Sequence, residues 1–311
     1  MKKTAYILLI IIYSCMNVYS QTLAERLGYT RNDRILIINN DDAGMCHAAN
    51  KATIEGMENG VISSATIMTP CPWYNEIASY AAANPSKGFG VHLTLTSEWG
   101  KYRWGTVAPR NEVPGLYDEQ GYMWKGIKEV YSSSNPEEAL IEGRAQLKKA
   151  LDSDIPVTHI DSHMGTYQYS PDYMNVYIQL AKEFNLPLRM PSQATLENLG
   201  APDYREICRR EGILHPDYFI HEEFEGYTTD NVAEFWTNYI KNLKPGVTEI
   251  YVHASAEGEE IRTITHSAAK RIRELEFFTS NELKELIEKE GIIVISYRPL
   301  LDLQRKEKEQ Q

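Results

Sequence analysis

The chain has 311 residues, of which 42% are hydrophobic and 24% charged, and its formal net charge is -11. A chain of this length can bury a proper core, and a surface this acidic repels nucleic acid and anionic lipid, which argues against both as partners. Three widely spaced cysteines remain beyond the N-terminal segment, and they form neither a metal cluster nor a disulfide framework. At most one disulfide could form among Cys46, Cys71 and Cys208.

Residues 1–20 predict an export signal. Two lysines precede an apolar stretch from Ala5 to Ile12 that is too short to span a bilayer, and small residues suit cleavage after Ser20. Cleavage would leave 21–311 as a secreted or periplasmic domain with a formal charge of -13, since 30 basic and 43 acidic side chains would remain. Lipid attachment at Cys15 is the alternative, but a bulky tyrosine two positions earlier suits that processing poorly. No later segment is apolar enough to enter a membrane.

Strand-like and helix-like segments alternate along the remaining chain. The expected elements are a strand beginning at 35, a helix at 48–59, a strand at 64–68, a helix at 74–83, a strand at 89–96, a helix at 135–151, a strand at 157–161, a helix at 170–184, a strand at 188–190, a helix at 230–243, a strand at 247–252, a helix at 266–290 broken near 279–280, and a strand at 291–297. This alternation predicts a parallel sheet with crossover helices. About seven such units in a single domain favour a distorted TIM-like (βα) barrel of the α/β class over an open sheet.

One stretch interrupts this alternation. Residues 99–125 are rich in aromatic residues, glycine and proline, without helix or strand periodicity, and they follow the third strand directly. In a barrel that position overhangs the catalytic face. Its aromatic side chains could stack on sugar rings, with Trp99 and Trp104 as the candidates, or could form a self-packed loop cluster.

The first predicted strand ends in two adjacent carboxylates. The apolar run from Ile35 to Ile38 leads into Asn39-Asn40-Asp41-Asp42-Ala43-Gly44. A buried parallel strand delivers acid groups to a site at its tip in this way. Neighbouring side chains on an extended backbone point to opposite sides, so we expect Asp41 and Asp42 to do different jobs. Helix capping and solvation are the alternative for an isolated pair.

Histidines occur at the ends of later strands. His92 lies in the third, His159 and His163 lie at and after the fourth, and His253 follows the sixth. A catalytic zinc site uses three protein ligands and an open position, and Asp42, His92 and His163 satisfy that count. Because the carboxyl ends of barrel strands converge at one mouth, these three side chains could meet. A hydrogen-bonded core role is the alternative for any single histidine.

Further polar residues suit supporting roles around such a site. Asp161 and His159 share a face with His163, and a carboxylate there could fix an imidazole tautomer. Asp41 is placed to take a proton from water, and His253 could protonate a leaving group. Arg189, in the predicted fifth strand, could keep Asp41 ionised or bind substrate, and a surface arginine is the alternative.

Together these motifs resemble the YdjC-like, or ChbG/HpnK, carbohydrate deacetylases. The resemblance lies in Ile37-Ile38-Asn39-Asn40-Asp41-Asp42-Ala43-Gly44, Val91-His92-Leu93-Thr94-Leu95-Thr96 and His159-Ile160-Asp161-Ser162-His163, together with His253 and the segment from Leu275 to Tyr297. It covers nearly the whole mature chain. Individually these motifs are weak, but their combination is specific.

The resemblance implies a divalent metal ion, zinc or magnesium, held by Asp42, His92 and His163. It further implies hydrolysis of the acetyl group of an N-acetylated sugar, with Asp41 as base and His253 as acid. One departure stands out, because the chain has Gly165 where the family usually has a further histidine. This changes the substrate side of the site, to which we also assign Tyr167.

The expected function is therefore a secreted or periplasmic metal-dependent hydrolase acting on acetylated amino sugars or oligosaccharides. Two alternatives stay open: hydrolysis of another amide, ester or glycan bond, and glycan binding without turnover. A homodimer is compatible with the sequence, which does not fix the oligomeric state.

Overall fold

The computed structural model describes residues 21–220, 224 and 226–310, so the predicted export signal lies outside the described residues. The strands are β1 (Arg34–Ala43), β2 (Ser64–Ile67), β3 (Gly88–Leu93), β4 (Ile160–Ser162), β5 (Tyr218–Phe219), β6 (Gly246–Val252) and β7 (Ile293–Val294). The helices are α1 (Leu23–Arg26), α2 (His47–Asn59), α3 (Tyr74–Ala83), α4 (Ile127–Ser133), α5 (Pro136–Asp152), α6 (Pro171–Phe184), α7 (Gln193–Asn198), α8 (Tyr204–Arg210), α9 (Val232–Lys241), α10 (Glu259–Ile264), α11 (Ala268–Phe278), α12 (Asn281–Lys289) and α13 (Arg298–Glu309).

The described strands form one parallel sheet in the order β4-β3-β2-β1-β6-β5, and β7 pairs with the start of β1. The sheet is curled. A flat sheet would separate β4 from β6 by about 19 Å, yet Arg189, which follows β4, contacts Glu249 of β6 at 2.8 Å. The predicted parallel α/β architecture is confirmed, with the carboxyl ends of β1, β3 and β4 at the same mouth.

The apolar start of β1 lies at the centre of the fold. All four residues from Ile35 to Ile38 are fully buried, because one face of β1 packs against helices α9, α11 and α12 and the other packs inside the curled sheet with α1 and α13. Burying each such side chain contributes about 1.5–3 kcal/mol. The rigid strand fixes the position of the carboxylates that follow it.

Local signals in the sequence account for several helix boundaries. The side chain of Asn135 accepts a hydrogen bond from the Glu138 amide before α5, whose first residue is proline. The break predicted near 279–280 is confirmed, since α11 ends at Phe278 and Ser280 caps α12.

Other elements differ from the sequence expectation. The predicted strand at 188–190 is reduced to an isolated bridge between Leu188 and Ile160, although its backbone bonds to Ile160 and Leu214 extend the sheet past β4. Strand β5 and helices α1, α4, α7, α8, α10 and α13 were not predicted. All of these except α13 have two to seven residues, too few for a hydrophobic period to be recognised. Helix α13 has 12 residues, and its apolar face among many charged residues was not recognised.

The segment 99–125 is largely packed against itself and the body of the protein. The ring centres of Trp99 and Trp104 are 5.4 Å apart, and Tyr102 lies 6.1 Å from Trp104. The carboxylate of Glu142 on α5 accepts hydrogen bonds from the backbone amides of Val107 and Ala108. This contact pattern favours the self-packed cluster over an open row of sugar-stacking rings.

The three cysteines in the described part of the chain are buried free thiols, and none of them forms a disulfide with another. Among the helices described, none has the length and apolar character needed to cross a bilayer.

Candidate metal centre and active site

The chain turns at the tip of β1 so that Asp41 and Asp42 reach the same cavity. Asp42 has a φ of 65°, in the left-handed region, and the register with β2 shifts between Asn40 and Ala43. The expectation of an extended backbone at this point is therefore wrong. The two carboxylates still have different partners, because Asp41 contacts Arg189 and Asp42 contacts the histidines.

Asp42, His92 and His163 converge at the mouth of the sheet. Oδ1 of Asp42 lies 3.4 Å from Nε2 of His92 and 3.3 Å from Nδ1 of His163. The two imidazole nitrogens are themselves 3.3 Å apart. The three potential ligand atoms thus form a nearly equilateral triangle, and all three residues are buried. The structure brings together the ligand set expected from the sequence.

The surroundings of Asp42 fit a bound cation. Its side chain is 1% exposed, yet neither carboxylate oxygen accepts an aligned hydrogen bond from the described residues. Arg271 lies 2.8 Å from Oδ2, whereas Oδ1 faces the two histidines, and a buried carboxylate oxygen without hydrogen bonds is costly unless a cation lies close to it. A carboxylate oxygen and two imidazole nitrogens are suitable ligands for a divalent ion such as zinc. The donor set and its geometry therefore suit such a metal ion.

A second group of possible ligands fits a metal less well. Asp41, His92 and Asp161 also lie close together. Both carboxylates already contact the guanidinium of Arg189, at 2.7 Å and 2.9 Å. Arg189 holds both oxygens of Asp41, and the two oxygens of Asp161 contact His92 and Arg189, so no carboxylate oxygen is left to bind a metal ion there.

Each histidine of the triangle has its own carboxylate partner on the other ring nitrogen. Asp161 contacts Nδ1 of His92 at 2.6 Å, and Glu98 contacts Nε2 of His163 at 3.0 Å. Burial alone would lower the pKa of each histidine, but the nearby carboxylates raise that of His92 to about 10 and that of His163 to about 9. Asp161 thus supports His92, whereas the sequence analysis grouped it with His163.

Arg189 connects three buried carboxylates beneath the site. It forms a two-pronged ion pair with Asp41, with both N–O distances at 2.7 Å, and its Nε donates to Glu249. Burial would raise the pKa of Asp41, but the guanidinium lowers it to about 2. Of the roles considered for Arg189, holding Asp41 ionised matches this geometry.

His253 and His159 occupy different environments. His253 lines the cavity beside both aspartates, and burial lowers its pKa to about 4. His159 lies deeper, stacked on Tyr297 at 3.7 Å, and its Nε2 lies 3.2 Å from Oδ1 of Asn39. Since Asn39 donates to Asp41, His159 supports the opening strand from below and does not border the cavity.

The cavity above these groups has a volume of about 280 Å³. Its wall includes residues that the sequence analysis did not select, namely Glu98, Gln168, Tyr169, Tyr251 and Arg271. The sequence analysis missed Arg271 because charged residues are common in amphipathic helices. It missed Glu98 because that residue lies in a loop, where no periodic pattern distinguishes one polar residue from another. The sequence did contain a clue to Tyr169, because residue 165 is a glycine. The ring of Tyr169 occupies the space that a Cβ at Gly165 would need.

Two predicted substrate contacts are wrong. Tyr167 is fully buried and its hydroxyl donates to the carbonyl of Ala139, so it has no surface for a ligand. Trp104 is 4% exposed within a core cluster. Trp99 is partly exposed, and its ring centre lies 6.3 Å from that of His163. Trp99 is therefore the aromatic side chain of the three that borders the site.

Comparison with known proteins agrees with these features. The YdjC-like protein family matches residues 35–289. A carbohydrate deacetylase of Enterococcus faecalis is 30% identical over 272 residues, covering 86% of this chain and 99% of the relative. One from Thermus thermophilus is 35% identical over 246 residues, covering 78% and 85%.

A solved structure agrees as well. An Enterococcus faecalis protein, provisionally named for cellobiose-phosphate cleavage, has a crystal structure that superposes with a TM-score of 0.74 at 30% identity, covering 86% of this chain and 99% of that one. The resemblance inferred from the sequence motifs is confirmed: the chain belongs to the YdjC-like family.

Proposed function

We propose that this protein is a metal-dependent hydrolase that removes acetyl groups from N-acetylated amino sugars or their oligosaccharides. The observation that carries this proposal is the triangle formed by Asp42, His92 and His163 beside an ionised Asp41. The curated deacetylases that cover nearly all of the domain support the reaction class.

The size of the triangle favours zinc over magnesium. A four-coordinate zinc ion at about 2.0–2.1 Å from each ligand requires ligand atoms about 3.3–3.4 Å apart. An octahedral magnesium ion at similar distances would bring neighbouring ligands to about 2.8–3.0 Å. In the structure the three separations are 3.4, 3.3 and 3.3 Å. Asp42, His92 and His163 would hold a zinc ion at this spacing without moving apart or together.

Asp41 and His253 divide the proton transfers. A cation in this site would act as a Lewis acid toward the amide carbonyl. Asp41 stays ionised at neutral pH because of Arg189, so its carboxylate is unprotonated when water attacks and, as a weak base, would hold the proton that it accepts only briefly. His253, whose pKa is lowered to about 4, starts neutral. The proton that it gives to the departing amine would be the one that the attacking water loses to Asp41, passed on within the cavity that both side chains line.

The cavity limits what can reach these groups. At about 280 Å³ it is near the lower end of ligand pockets, which supports the entry of one sugar residue at a time. Tyr169 and Tyr251 on its wall offer apolar faces for a pyranose ring. The remainder of a longer glycan would lie outside the cavity.

The part of the cavity wall formed by Gly165 and Tyr169 supports a second candidate function, the hydrolysis of a different bond. An added Cβ there would lie 2.4 Å from the ring of Tyr169, so this wall has no room for the side chain usual in the family. A different acyl group, an ester or another glycan bond would be the substrate if the changed wall excludes an acetamido sugar.

The test measures acetate and free sugar amine released from N-acetylglucosamine and its oligomers. Asp41→Asn should lower kcat by at least about 100-fold, with metal content unchanged, because Asp42 and both histidines are retained. The matched control is the exposed Asp302→Asn, which should leave turnover unchanged. Full metal occupancy without release from any acetylated glycan would refute deacetylation, and release from other acyl compounds would favour the second function.

We further propose that the chain is exported, which rests on the N-terminal lysines and apolar stretch. Protein recovered from an envelope or secreted fraction should then begin at Gln21. Recovery with residues 1–20 intact would contradict this.

A further inference from the structure

Arg271 enters the cavity from α11 and is held on several sides. Its side chain is 8% exposed, and its Nη1 lies 2.8 Å from Oδ2 of Asp42. Its Nε donates to the hydroxyl of Ser267, and its guanidinium carbon lies 5.8 Å from the centre of the Trp99 ring. The guanidinium is therefore fixed in place beside the candidate metal site.

The two oxygens of Asp42 consequently face different partners. Oδ1 forms the triangle with the ring nitrogens of His92 and His163, whereas Oδ2 faces Arg271. Within the described residues, Nη1 of Arg271 has no aligned hydrogen bond, so its contact with Asp42 is one of charge. The positive charge lies on the side of the carboxylate that points away from the histidines.

A carboxylate can bind a cation through one oxygen or through both. Binding through both would add a fourth protein atom and, with the water that a catalytic zinc site holds in its open position, would raise the coordination number from four to five. A fixed guanidinium at Oδ2 opposes that mode, since rotating Asp42 toward the cation would separate two opposite charges in a buried cavity.

We propose that Arg271 is a positioning residue that presents Asp42 to the cation through Oδ1 alone and so keeps the site four-coordinate, with three protein ligands and one open position. This rests on the metal site of the proposed function, but it concerns coordination and not the bond that is cleaved. It can be tested without any substrate.

The experiment uses Co²⁺ in place of the native ion, because four-coordinate cobalt absorbs visible light much more strongly than cobalt of higher coordination. The wild-type protein loaded with Co²⁺ should show the intense bands of four-coordination. Arg271→Met should lose most of that intensity at equal cobalt content, since Asp42 becomes free to bind through both oxygens. Arg271→Lys retains a positive charge and should restore much of it.

Lys270→Met is the matched control. It removes the same charge from the neighbouring position of α11, where Lys270 lies over the ring of Tyr227, 4.8 Å from its centre. Its cobalt spectrum should equal that of the wild type, and thermal melting should verify that each variant is folded.

An unchanged spectrum in Arg271→Met would overturn the proposal, as would a change that Arg271→Lys does not reverse. Loss of cobalt uptake in Arg271→Met that Arg271→Lys reverses would support it, because Asp42 would then need Arg271 to reach the cation. Absence of uptake in the wild type would refute the metal site itself. Lack of acetate release with the predicted spectra would refute only the deacetylase proposal.

Discussion

Asp41 and Asp42 are neighbours in the chain, yet their carboxylates meet different charges. Arg189 neutralises Asp41 from below, and the histidine pair with Arg271 surrounds Asp42. Both aspartates keep a lowered pKa although burial opposes it. Both oxygens of Asp41 are therefore held within the protein, whereas Oδ1 of Asp42 faces the two histidines and fits a cation.

Replacing Arg189 should be among the most damaging substitutions in the protein. Arg189→Met would leave Asp41, Asp161 and Glu249 without their shared cation, and breaking a buried ion pair costs about 3–5 kcal/mol. Chemical denaturation should record that loss in the free energy of unfolding. Arg209→Met is the control, because Arg209 forms an exposed pair with Glu206 and should change stability by less than about 1 kcal/mol. Equal effects of the two substitutions would contradict the role given to Arg189.

At the scale of elements, sequence patterns predicted most segments that have a helical period or a long apolar run, but not the 12-residue helix α13. Strand β1, the helices α3 and α6, and the break before α12 all follow from such patterns. The meeting of Asp42, His92 and His163 was predicted from one rule, namely that the carboxyl ends of parallel strands lie at the same edge of the sheet. Arg271 could not be found in this way, because its place depends on how α11 packs over the mouth of the sheet.

Helix α5 anchors the segment 99–125 by a row of polar side chains. Glu138 accepts from the Gly115 amide, Glu142 from those of Val107 and Ala108, and Gln146 bonds both backbone groups of Thr94. These residues are spaced by four and so share one face of the helix. The segment that follows β3 is thus fixed to the scaffold.

Removing the central side chain of this row should loosen the segment. Glu142→Ala leaves the buried amide of Ala108 and the partly buried amide of Val107 without acceptors, and an unsatisfied buried amide costs about 1–3 kcal/mol. Hydrogen exchange should then speed up at Val107 and Ala108 while the amides of β1 stay protected. Lys148→Ala on the same helix is exposed and should leave exchange unchanged. Unaltered exchange in Glu142→Ala would show that other contacts hold the segment.

At the scale of the whole molecule, a cation would tie together the carboxyl ends of β1, β3 and β4. A ligand that binds only the folded state stabilises it, by about 2.7 kcal/mol at 100 times its Kd. Chelation should therefore lower Tm, and His163→Ala should abolish the difference between loaded and chelated protein. The exposed His266→Ala should retain that difference.

This stabilisation should also depend on pH. Without metal, the raised pKa values of about 10 for His92 and about 9 for His163 stabilise the fold at low pH, and that stability is lost as pH rises through those values. Metal binding must displace these protons, so affinity should increase with pH, about tenfold per unit for each proton released. The Tm difference should be larger at pH 8 than at pH 6. A difference that shrinks with pH would contradict the assignment of the two histidines as ligands.

The central claim is that Asp42, His92 and His163 together hold one divalent ion. Anomalous diffraction from crystals of the metal-loaded protein measures this directly. We predict a single strong peak about 2.0–2.2 Å from Oδ1 of Asp42, Nε2 of His92 and Nδ1 of His163. A peak at another set of side chains, or none in protein shown to contain the metal, would contradict the account.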